Sequence, residues 1–181
     1  MSGFELELMN ELSEIITLAT TSIQEGYFHL QIDGGDPIYR ERVYCYELYH
    51  QMRLRWPTNT EFYLNGEIDK AAHPILRELG ADQVKPDLLV HRPGYMSGNH
   101  AVIEVKSSEA RPQGINKDLS ILSLFRDKVG YERAIYLIYG YHAEETLRRV
   151  LKAIKPLGSL SEIEVWIHEA PGQPAIHVST M

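Results

Sequence analysis

The stretch "VKPDLLVHRPGYMSGNHAVIEVKSS", residues 84–108, decides the fold. Two short apolar runs flank a loop carrying Pro93, Gly94 and Gly98. This pattern predicts two strands joined by a polar connection. The first run opens on a carboxylate, Asp87, and the second carries Glu104 and Lys106 one residue apart. Side chains alternate faces along a strand, so Glu104 and Lys106 point one way while Ile103 and Val105 point the other. Pairing residue 87 with 104 sets 89 opposite 102 and 91 opposite 100. One face then gathers Asp87, Leu89, His91, His100, Val102 and Glu104. The other, made of Leu88, Val90, Ala101, Ile103 and Val105, has no polar side chain and needs a cover of helices.

Working outward, residues 4–24 place Leu8, Leu12, Ile15, Ile16, Ala19 and Ile23 at helical spacing. The turn cluster DGGDP, 33–37, precedes a second helical stretch from Ile38 to Trp56, stopped by Pro57. EFYLNGEIDK, 61–70, alternates as a strand, and HPILRELG closes a short helix on Gly80. Beyond the hairpin come a helix over 114–130, a buried strand over 134–140, the charged helix AEETLRRVLKAI and the strand IEVWIH. The order indicates one mixed α/β domain over residues 1–181. Its core is expected over about 40–140, with an N-terminal helix at 4–24 and a helix–strand extension at 142–178.

Two acids held together repel, and the repulsion grows as water is excluded. A hard divalent cation removes that conflict. Mg²⁺ takes oxygen ligands and keeps several waters, so Asp87, Glu104 and the carbonyl of Val105 would suffice. Lys106 beside it could orient an attacking water, which suits metal-assisted hydrolysis of a phosphodiester.

Pro86-Asp87, followed after sixteen residues by Glu104-Val105-Lys106, resembles the PD-(D/E)xK signature of the restriction-endonuclease-like nucleases. The resemblance implies a mixed central sheet flanked by helices, in helix–strand–strand–strand–helix–strand order, with the N-terminal helix as an addition. It also implies that Asp87 and Glu104 hold Mg²⁺, with Mn²⁺ as a substitute, and that Lys106 assists the water. A glutamate from the preceding helix completes the acid cluster in many members. Glu47 in "YCYELYHQMR" matches that position, on the helical side of Val43, Tyr46, His50 and Leu54. "INKDLSIL" lies where the family's next helix supplies a polar residue, and Lys117 is the candidate there. "YCYELYHQ", "GEIDK" and "KDLxxL" resemble uncharacterised bacterial members. The expected activity is hydrolysis of DNA in preference to RNA, as a homodimer or with a partner protein that supplies recognition. The alternative is a catalytically silent nuclease-fold protein that binds nucleic acid or other proteins.

Composition bounds these expectations. The formal charge of −7 argues against a surface coated for nucleic acid but leaves room for an acidic metal site. No apolar run reaches membrane-spanning length. The single cysteine, Cys45, excludes an internal disulfide and fits a buried thiol in a cytoplasmic protein. Other residues carry two readings each. His91 and His100 suggest zinc or strand ends. Glu67 and Asp69 extend the acidic site or line an exposed strand. Tyr44, Tyr46 and Tyr49 stack on bases or bury their rings. Arg148, Arg149, Lys152 and Lys155, like Arg53 and Arg55, meet phosphates or face solvent.

Overall fold

The computed structural model describes residues 3–67, 74–81, 84–154 and 162–181. Helices α1 (Gly3–Thr21), α2 (Glu25–Phe28) and α3 (Glu41–Leu54) precede strand β1 (Tyr63–Gly66) and the short helix α4 (Pro74–Glu78). Strands β2 (Leu88–His91) and β3 (Asn99–Ser107) follow, then α5 (Pro112–Leu124), β4 (Arg133–Tyr139), α6 (Ala143–Ile154), β5 (Ile163–His168) and β6 (Ile176–Thr180). Among the described residues the six strands form one sheet in chain order. β1, β2 and β3 run antiparallel, β4 and β5 continue parallel to β3, and β6 turns back. The expected mixed α/β sheet flanked by helices is what the chain forms. No described helix is long and apolar enough to cross a membrane.

Strand alternation builds a core on each side of this sheet. Leu88, Val90, Ala101, Ile103 and Val105 pack with Leu12, Ile16 and Ala19 of α1 and with Tyr44, Leu48 and Met52 of α3. Leu89, Val102, Ala134, Tyr136 and Ile138 pack beneath Ile115, Leu119 and Leu122 of α5 and Val150 of α6. Covered on both faces, β4 is buried at every position, and its run RAIYLIY is accordingly near-continuously apolar. At one end of β3 the α5 face turns polar while the opposite face stays apolar, and there the acids lie.

Leu89 pairs with Val102 in the expected register, and Leu88 with Ile103. The pairing slips at Val90/His91, so His91 meets Asn99 and not His100. His100 is the extra residue of this bulge. It turns to the α1 side, lining a small cavity with Leu12 and Ile15 and lying edge-on to Phe62. The two histidines therefore separate: His91 Nε2 is 2.9 Å from Asn65 Oδ1, and His100 Nδ1 is 2.7 Å from Glu132 Oε2. A shared zinc site between them is corrected.

Two further differences concern helix α3 and the C-terminus. The buried stripe of α3 is Tyr44, Cys45, Leu48 and Met52, whereas Tyr46 and Leu54 are exposed. Strand β6 adds to the strands that the sequence pattern predicts; IHVST is a short, exposed edge. Asp69 and Lys155 lie outside the described residues.

Candidate functional site

The acids of the hairpin meet where β2 begins and β3 runs on alone. Asp87 stands just ahead of β2, and its Oδ2 accepts a 2.8 Å hydrogen bond from the backbone N–H of Val105. This bond replaces the ladder partner that β3 loses at that level. The N–H and C=O of one strand residue point to the same edge, so the Val105 carbonyl is aimed to the Asp87 side as well. Glu104 projects from the α5 face and is only 5 % exposed, and the charge of Asp87 bears on its carboxyl. Its Oε1 is buried without a hydrogen-bond partner.

Burial, ahead of every other influence, pushes Asp87 up from its ordinary 3.8 to about 6, although the Val105 N–H pulls the other way. Glu104 is raised well above the ordinary carboxylate range, first by burial and then by the charges of Asp87 and Asp118. Two carboxyls that cannot comfortably both ionise will share a proton or take up a cation.

Lys106, on the same face two residues on, answers this with a separate set of contacts. Its Nζ lies 2.9 Å from Asp118 Oδ2 of α5 and 3.1 Å from Glu41 Oε2 of α3. Burial works against its charge, but Asp118 and Glu41 outweigh burial and hold the ammonium firmly protonated. Glu41 also receives the Ser107 backbone N–H at 3.3 Å, which ties the start of α3 to the end of β3. Tyr136, the partner of Glu104 across the β3–β4 pairing, completes the polar floor beside Asp118.

Asp87 also lines a cleft of about 340 Å³ on the α3 side, together with Tyr46, Tyr49 and Glu67. Cys45 sits at its base, and its thiol is pushed up by burial and then by Asp87, Glu41 and Glu104. It is an inert neighbour of the acids.

The structure brings Asp87, Glu104, Val105 and Lys106 together and leaves Glu47 out of their contacts. Glu47 accepts a 2.7 Å hydrogen bond from Gln51 on its own helix. The helical acid that touches the lysine is Glu41, which shares the buried stripe of Tyr44, Cys45 and Leu48 at i+3, i+4 and i+7. Likewise Asp118 reaches the site, while its neighbour Lys117 faces a groove with Lys85 and Ser120. Asp118 had a signal in the sequence, because it interrupts the apolar side of its helix. Of the basic candidates, Arg149 donates to the carbonyls of Ala110 and Ser108, and Arg55 to Gln51 and Ser22. Both are spent on holding loops. Tyr44 is buried and stacked on Tyr139 at 3.8 Å.

Among the described residues no group of three or more His, Cys, Asp or Glu could hold a metal ion. Asp87 and Glu104 form a smaller donor set: two carboxyls at one end of β3, one of their oxygens buried without a partner, and a carbonyl on the Asp87 edge. That set fits Mg²⁺, which takes one or two carboxylates and keeps its remaining waters. No protein-family profile, curated protein or solved structure matches this chain.

Proposed function

We propose that this chain is a Mg²⁺-dependent nuclease of the restriction-endonuclease-like PD-(D/E)xK class, hydrolysing phosphodiester bonds in DNA. One observation carries the reading: Asp87, bonded to the Val105 N–H, and the buried Glu104 stand at one end of β3 beside Lys106, whose Nζ is held by Asp118 and Glu41. The succession α3, β1, β2, β3, α5, β4 supports it, since this is the order that the sequence resemblance implies, with α4 inserted.

In this reading Asp87, Glu104 and the Val105 carbonyl hold the cation, with Mn²⁺ able to replace Mg²⁺. The bound metal supplies Lewis acidity and an acidified water. Lys106 does not accept the water's proton, because Asp118 and Glu41 keep it an ammonium. It donates hydrogen bonds to the water or to a phosphate oxygen and stabilises the negative charge that develops. Asp118 and Glu41 act as positioning residues for Lys106.

A second reading draws on the same contacts. The charge of Lys106 is already matched by two carboxylates, as in a structural ion triad, which favours a silent binding module. Cleavage of plasmid, linear and branched DNA with Mg²⁺ or Mn²⁺ separates the two. Wild type is expected to cut, and Asp87→Ala and Lys106→Ala are expected to lose at least about a hundredfold in rate. Equal rates in all three proteins would leave the module reading.

A further inference from the structure

The cleft beside Asp87 is floored by Cys45 and Leu88 of the core and walled by side chains that the acid pair does not use. Tyr46 is 63 % exposed, Tyr49 is half-buried beside it, and Glu67 forms the opposite wall. Glu67 has φ +31, a conformation that a residue with a Cβ rarely adopts. Its backbone N–H is held there by the Asp87 carbonyl at 3.1 Å. The unusual turn brings the Glu67 carboxylate to the cleft, where Arg42 meets it at 3.3 Å. Positive φ at a non-glycine residue, fixed by a hydrogen bond to a site residue, is the kind of local strain that accompanies a binding function.

We infer that this cleft takes an unpaired nucleobase next to the scissile phosphate, so the substrate is single-stranded or frayed nucleic acid and not an intact duplex. The inference rests on the nuclease reading, because Asp87 is common to the cleft and to the acid pair. Tyrosine rings offer a stacking platform to any base. A carboxylate at the wall accepts a hydrogen bond from an exocyclic amine, as carried by cytosine or adenine, and rejects the carbonyl edge of thymine.

The test is binding in EDTA of a single-stranded oligonucleotide carrying one 2-aminopurine, followed by the quenching of its fluorescence. Wild type is expected to quench it, and Tyr46→Ala to bind about tenfold more weakly with the quenching lost. Tyr46→Phe keeps both, and a blunt duplex of the same sequence competes at least about tenfold less well than the single strand. Tyr46 is exposed, so neither variant threatens the fold. Equal binding by Tyr46→Ala, equal competition by the duplex, or no quenching at all overturns the inference. The two readings fail separately. Lys106-dependent cleavage that is indifferent to Tyr46→Ala removes only the base site, whereas quenching without cleavage under any metal removes the nuclease and keeps the base site.

Discussion

Buried charge occurs at two places along the parallel strands, and the two are solved in opposite ways. Where β4 starts, Arg133 meets Glu164 through Nε and Nη2, each at 2.7 Å, and Trp166 Nε1 donates to the same carboxylate at 3.1 Å. Burial alone would raise Glu164, yet Arg133 outweighs it and the carboxyl lies below its ordinary value. Where β3 ends, Asp87 and Glu104 are both pushed up, and Glu104 Oε1 has no partner. Lys106 is close, but Asp118 and Glu41 take its hydrogen bonds. One cluster is complete within the chain, and the other is a charge conflict that a cation would relieve. Stability resides in the first and function is sought in the second.

The largest effect that would break this comparison is on stability at the complete cluster. Arg133→Met should lower the unfolding free energy by about 3–5 kcal/mol, because Glu164 is left buried and uncompensated. Urea denaturation measures it, and adding Glu164→Leu should recover most of the loss. At the other cluster the sign reverses. Glu104→Gln removes the repulsion and should stabilise the fold by about 0.5–2 kcal/mol while abolishing cleavage. A destabilised Glu104→Gln would mean that the acid is structural, like Glu164.

Dependence on pH sharpens the contrast. The folded state raises Asp87 from 3.8 to about 6, so it binds that proton more tightly than the unfolded chain does. This contribution to stability is greatest below about pH 4 and is lost as pH rises through about 6. Glu164 is shifted down from 4.5, so its contribution stands above that value and fades as pH falls below it. Unfolding curves between about pH 4 and about pH 7 should show a decline in wild type that Asp87→Asn lacks. The smallest effect concerns Glu47. Its carboxylate bonds Gln51 within α3, so Glu47→Ala should cost no more than about 0.5 kcal/mol and leave cleavage intact. Glu41→Ala, by contrast, should slow it.

Much of this arrangement is legible along 84–108. Alternation assigns Ile103 and Val105 to one core and Glu104 and Lys106 to the other face, because each residue step reverses the side chain. The assumed hairpin register holds from Leu88 to Val90, where a slip by one residue would move Glu104 and Lys106 from the α5 face into the core under α1 and α3. The bulge at His100 does not follow from that pattern. It depends on Phe62 and Glu132, distant in sequence, which capture the imidazole from the other side. Choosing Glu47 over Glu41 has a similar cause. Helix α3 carries tyrosines on several sides, and only the packing of Tyr44 on Tyr139 and of Leu48 in the core reveals which side turns inward. Asp118 was within reach, as an acid placed between Ile115 and Leu122 on an apolar stripe.

The most direct measurement is calorimetric titration of Mn²⁺ into wild type and Glu104→Gln at about pH 6, repeated in buffers of different ionisation enthalpy. Binding at one site in wild type, with release of a proton from the acid pair and none of this in the variant, is the predicted outcome. No heat in wild type, or identical isotherms for the two proteins, would contradict the assignment of Asp87 and Glu104 as cation ligands.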